Sequence, residues 1–170
     1  MYQFDSGYER VFGPVDVKEA PDYHLYPRGS TALLDATHKA IIETGDFLRR
    51  MPEADRPSQV KVIVVTDGQE NSSVEVTRQI LKDAITHQEQ KYGWEFIYIG
   101  SDPSTYQEAH SAGFSNTVRY NSVSTADMYR GLSKGITTSR MTGSSVTSNM
   151  DSTYGDIDSN SSVQSSVSSS

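Results

Sequence analysis

The chain has 170 residues, enough for one domain with a buried core, and it contains no cysteine. That composition excludes thiol catalysis, disulfides and cysteine-ligated zinc. A formal net charge of −7 and the lack of any basic cluster argue against nucleic acid or an anionic membrane as the principal partner.

The first residues, Met1 to Asp5, do not have the pattern of a signal peptide, and no apolar run is long enough to span a membrane. A cytoplasmic location is the resulting expectation. Tyr2-Gln3-Phe4 and Tyr8 to Phe12 are short aromatic runs separated by Asp5-Ser6-Gly7, which predicts a hairpin. A loop from Pro14 to Pro27 leads into Arg28-Gly29-Ser30-Thr31. Leu34, Ile41 and Leu48, with Leu33 and Ile42 beside them, then predict a helix from about Ala32 to Arg50. Pro52 and Pro57 bracket the acidic loop that ends it.

Lys61 to Thr66 is a β-branched run of the kind buried on both faces in a parallel sheet. It delivers Asp67-Gly68 to the carboxyl end of the strand, the edge where open α/β sheets bind ligands. Asp67 there is placed to hold a metal ion or a polar partner, while Asp-Gly is equally ordinary turn chemistry. Ser72-Ser73-Val74-Glu75 reads as a capping box opening a helix from about Val74 to Tyr92, with Val76, Ile80, Leu81, Ala84 and Ile85 inward.

Trp94 to Ile99 is the next strand. Asp102-Pro103 then caps a short helix ending near Gly113, a weaker strand covers Asn116 to Tyr120, and Ser124 to Asp127 opens a last helix reaching about Arg140. Residues 1–141 are read as the folded domain. Residues 142–170, dominated by serine, threonine, asparagine and aspartate, are read as a disordered tail with too little apolar surface to offset its ordering entropy. Alternating strands and helices give an α/β class with a mostly parallel sheet, helices on both faces and the hairpin as an antiparallel edge.

His24, His38, His87 and His110 lack ligand spacing, and no nucleophile elbow or phosphate-cradling loop is present. Tyr92, Trp94, Tyr98, Tyr106 and Tyr120 read as core and sheet packing. Asp35 favours a helix dipole, and Glu70 and Asn71 suit either loop solvation or contact with metal-bound water. A magnesium-dependent phosphoryl-transfer enzyme using Asp67, with Asp102 converging on it, is a weaker reading because no basic group accompanies them.

Three blocks in order carry a resemblance: Phe4-Asp5, Gly29 to Ala36, and Val64 to Asn71, with Trp94 to Gly100 following. Together they resemble a von Willebrand factor A domain of bacterial or phage type over roughly Tyr2 to Arg140. The resemblance implies a Rossmann-like three-layer αβα sandwich and a non-enzymatic protein-interaction function. It also implies a metal-ion-dependent adhesion site holding Mg²⁺, or Mn²⁺, in which Thr31 gives a hydroxyl and Asp67 a carboxylate, with Ser30 and Asn71 as neighbours. An acidic side chain of a protein partner would complete the coordination.

The family's first strand and its Asp-x-Ser-x-Ser loop are absent; Asp158 to Ser162 echoes the loop without the strand that should precede it. Three readings follow. Met1 is internal to a longer, N-terminally truncated domain, another chain donates the strand, or the hairpin pairs directly with the central strand and the metal site is abandoned. With only Thr31 and Asp67 as ligands, metal binding is expected to be weak or conditional. A metal-free interaction scaffold is the alternative within the same class.

Overall fold

A computed structural model describes residues 1–24, 29–101, 104–120, 125–150 and 156–159. Strands β1 (Tyr2–Phe4) and β2 (Tyr8–Arg10) form an antiparallel hairpin with Gln3 opposite Glu9. Helix α1 spans Leu33–Arg50, strand β3 Lys61–Thr66, helix α2 Arg78–Tyr92 and strand β4 Glu95–Gly100. Helix α3 (Thr105–Ala112), strand β5 (Asn116–Arg119), helix α4 (Thr125–Thr142) and strand β6 (Asp156–Ser159) complete the order. β3, β4 and β5 are parallel, and β6 joins β5 antiparallel, in the order β3-β4-β5-β6. The molecule is therefore an α/β fold of Rossmann-like type. No helix among the described residues is long and apolar enough to cross a membrane.

The sheet separates two apolar clusters, because successive residues of a strand point to opposite faces. Phe96 and Tyr98 of β4 pack with Leu33, Leu34 and Ile41 of α1, Leu81 and Ile85 of α2, and Ala109 and Ala112 of α3. Ile97 and Ile99 face the other way, onto Met128 and Leu132 of α4 and onto Val146 and Met150. The aromatic residues Trp94 and Tyr98 lie inside as expected, whereas Tyr92 is exposed at the end of α2. Ile80, also expected inside, is exposed because it lies off the Leu81–Ile85 stripe of its helix.

Several expectations need correction. The hairpin does not extend the parallel sheet: β1 and β2 pair only with each other among the described strands. β3 is consequently an edge strand and not buried throughout. Val64 is buried, while Val62, Ile63 and Val65 are half-buried. Ser72 does not cap α2, which begins five residues later with the Thr77 hydroxyl accepting from the Ile80 N–H.

Nor does the fold stop at residue 141. α4 runs to Thr142, and a 3-10 turn at Thr147–Asn149 follows, with Val146, Thr147 and Met150 buried. Glu95 fixes this segment: one carboxylate oxygen accepts from the Val146 N–H (2.8 Å) and the Ser145 hydroxyl (2.6 Å). The other carboxylate oxygen accepts from Lys61 Nζ at 2.6 Å. Gly135 lets the segment approach α4, since a Cβ there would lie 2.9 Å from both the Val146 carbonyl oxygen and Met150 Cγ. The expected helix cap at Asp102-Pro103, the Ser124 helix start and most of the serine-rich tail lie outside the described residues.

Candidate functional site

The carboxyl end of β3 passes into a loop, residues 67–76, that folds over the amino end of α1. Thr66 closes the first turn, its hydroxyl accepting from the Gly68 N–H (3.1 Å) and donating to the Gly68 carbonyl (3.0 Å). Thr31 and Asn71 then hold each other through two bonds. The Thr31 N–H donates to Asn71 Oδ1 (3.0 Å), and the Asn71 N–H donates to the Thr31 carbonyl (3.1 Å). Thr31 Oγ1 lies so close to the turn that a Cβ on Gly68 would meet it at 2.7 Å. The structure thus brings Thr31 beside the Asp67-Gly68 turn although 36 residues separate Thr31 from Asp67. The half-buried Ser30 precedes Thr31 directly in the chain.

Three carboxylates near this turn are consumed by backbone. α1 has Ala32 at its N-cap and no side-chain cap of its own, so its first N–H groups need outside acceptors. Glu70 Oε2 accepts from the Leu34 N–H (3.0 Å), and Ser73 Oγ accepts from the N–H groups of Leu34 (3.1 Å) and Asp35 (3.2 Å). The other oxygen of Glu70 accepts from the Ser72 and Ser73 N–H groups at 2.9 and 2.8 Å. Asp35 returns the interaction, accepting from the N–H groups of Val74 (2.9 Å), Glu75 and Val76 (2.8 Å). The amides of Ser73 to Val76 thus point at Glu70 and Asp35, and α2 opens after them at Arg78. Glu108 of α3 is the third anchor, accepting from the Glu70 N–H (2.6 Å) and the Tyr98 hydroxyl (3.2 Å).

Burial works to raise the Glu70 pKa, but the hydrogen bonds from Ser73, Leu34 and Ser72 outweigh it. Glu70 is held below the usual glutamate value of 4.5. It is an ionised structural acceptor for the amides of Leu34, Ser72 and Ser73, a role its position in the sequence did not suggest.

Asp67 differs from all three. Its carboxylate is exposed and has no hydrogen-bond partner among the described residues. Asn71 Oδ1, by contrast, already accepts from the Thr31 N–H and from the Ser72 hydroxyl (2.7 Å). For a hard cation, the side-chain oxygens left at this turn among the described residues are therefore the Thr31 hydroxyl and the Asp67 carboxylate. These are the right donor type but too few for an octahedral ion to bind firmly. No group of three His, Asp or Glu side chains able to hold a metal occurs among the described residues. Asp102, the possible second carboxylate, lies outside the described residues. A cavity of about 410 Å³ opens at the other end of β3, lined by Gln59, Lys61, Ile136 and Arg140 among others. Its Lys61 is already paired with Glu95.

Sequence reasoning did not assign anchoring roles to Ser73 or Glu108. Neither had a signal, since each serves a partner more than 30 residues away. Comparison with protein-family models, with curated proteins and with solved structures found no match.

Proposed function

We propose that this chain is a non-enzymatic protein-interaction module of the von Willebrand factor A type, arranged as a three-layer αβα sandwich. Its partner docks at the carboxyl edge of the sheet. The observation that carries the reading is the contrast among the acidic residues there. Asp35, Glu70 and Glu108 are spent on holding the loop, while Asp67 is presented to solvent on that fixed loop. An unpaired carboxylate on a turn that the Thr31 hydroxyl approaches at Gly68 suits a hydrated Mg²⁺ or Mn²⁺ ion whose remaining ligands come from outside. An acidic side chain on the partner supplies one of them. The ion is held weakly until that partner arrives, because affinity follows ligand number and charge.

A metal-free interface at the same edge is the second reading. It is favoured by the occupied carboxamide oxygen of Asn71, which leaves one fewer oxygen for an ion. Calorimetric titration of Mg²⁺ and Mn²⁺ into the purified chain, with Asp67→Ala as control, separates them. Weak heat that vanishes in the variant, on a chain that remains folded, supports the conditional ion site. No heat in either protein leaves the metal-free interface. Tight binding insensitive to Asp67→Ala would overturn the assignment of Asp67 altogether.

A further inference from the structure

The edge of β3 that faces away from β4 carries backbone groups with no partner among the described residues. The Glu95 N–H donates to the Val60 carbonyl (2.9 Å), and the register sets Lys61 beside Glu95. Backbone groups alternate sides along a strand, so Val60, Val62, Val64 and Thr66 turn theirs towards β4. Lys61, Ile63 and Val65 turn their N–H and C=O groups to the open side, where no described strand pairs with them. Natural edge strands are blunted by proline, bulges or inward charge. β3 has none of these, and its one charged residue, Lys61, is drawn to Glu95 on the β4 side.

The surroundings of that edge are apolar on both faces. Val60 and Val62 form a half-buried rim of the cluster under α1, and Phe4 of the hairpin packs on the same cluster. Ile63 and Val65 form the corresponding rim of the cluster under α4. α1 carries the hairpin as well. The Ala32 N–H donates to the Asp5 carbonyl (2.6 Å), Lys39 lies over the Tyr8 ring, and Arg10 approaches Glu43 at 3.9 Å. α1 therefore holds the hairpin, shares an apolar cluster with Val64 of β3, and leaves hairpin and β3 unpaired with each other among the described strands.

We propose that the open edge of β3 receives a strand from a partner polypeptide. The donated segment is extended, about six residues long to match β3, and rich in β-branched side chains because both of its faces become covered. A second copy of this chain is the poorer occupant. Its β3 would arrive already covered by its own α1 and apolar cluster, whereas a separate extended segment brings no such bulk. The proposal deepens the interaction-module reading by giving the partner's chemistry, and it uses neither Asp67 nor a metal.

Amide hydrogen exchange followed by NMR on the full chain in EDTA, with the mass in solution measured in parallel, tests this. The probe is the capped heptapeptide Lys-Val-Ile-Val-Thr-Val-Lys. Its control carries proline at every second position and cannot form a ladder. We expect the Lys61, Ile63 and Val65 amides of the monomer to exchange fast, and to slow by at least about tenfold with the probe but not with the control. Ile63→Pro removes an edge-facing N–H while sparing the β3–β4 ladder, and is expected to lose the probe. Asp67→Ala is expected to keep it, so failure of the loop-edge reading registers separately. Three results overturn the proposal: these amides protected in the monomer alone, which means this chain covers its own edge; protection that tracks dimer formation; or exchange unchanged by the probe. The two peptides decide the matter even if Ile63→Pro does not fold.

Discussion

Gly68 shows how narrowly a single position can define this site. Its hydrogen leaves room for Thr31 Oγ1, whereas a methyl group would meet that oxygen at 2.7 Å. Gly68→Ala is therefore expected to cost about 1–3 kcal/mol, the usual range for overpacking. In the Thr31→Ala background most of that cost should disappear. A double-mutant cycle by urea denaturation checks it, and equal penalties in both backgrounds would refute the close approach.

Glu70 has a different signature. Its pKa is depressed in the folded state, so the stability it contributes is present above the unfolded value of 4.5 and is lost as pH falls through the lower folded value. Glu70→Gln leaves one acceptor oxygen where two served four donors, and is expected to cost about 2 kcal/mol at pH 7. The difference from the parent protein should shrink on acidification below pH 4.5, as equilibrium unfolding at several pH values will read. The sequence made Asp67 visible as a strand-end carboxylate. It was silent on Glu70 as a cap, because the amide it serves belongs to Leu34, 36 positions earlier.

At the scale of elements, α1 and the loop after β3 stabilise each other's ends. α1 takes its cap from Glu70 and Ser73, and the loop takes its amide acceptor from Asp35. A local capping box at Ser72 was a reasonable expectation, yet tertiary partners claimed the same groups first. β3 makes the complementary point. Its β-branched run was legible as a strand, but its position at an edge was not, since residue type does not say which neighbours are present. Proline substitution distinguishes its two sides. Val64→Pro removes a ladder N–H to β4 and is expected to destabilise by about 1–3 kcal/mol for the acceptor left unpaired, with the loss of the buried valine side chain in addition. Ile63→Pro removes only an edge-facing N–H and should cost clearly less, the remainder being lost side-chain packing. Equal losses in thermal unfolding would mean that the Ile63 amide is already engaged.

Over the whole molecule, the segment after α4 belongs to the core. Val146 and Met150 close the cluster formed by Ile97, Ile99, Val118, Met128 and Leu132, and Glu95 ties that segment to the start of β4. Two truncations isolate its contribution, one ending at Thr142 and the other at Met150. Both remove β6, so the difference between them reports on residues 143–150. We expect the shorter chain to be less stable by about 3 kcal/mol or more, from uncovered apolar side chains and the cavity beneath them. Denaturant midpoints of the two chains check this, and coincident midpoints would return residues 143–150 to the status of a tail.

The sequence by itself determined the alternation of strands and helices, the parallel run of β3, β4 and β5, and the arrival of Asp67 at a carboxyl edge. Those features rest on hydrophobic periodicity and turn chemistry, which act over a few residues. The tertiary structure decided which carboxylates are spent on backbone, that the hairpin stands apart from the sheet, and that a serine-rich stretch supplies two core side chains. Each of those outcomes depends on groups distant in sequence competing for the same donor, acceptor or apolar face. No local pattern records who wins that competition.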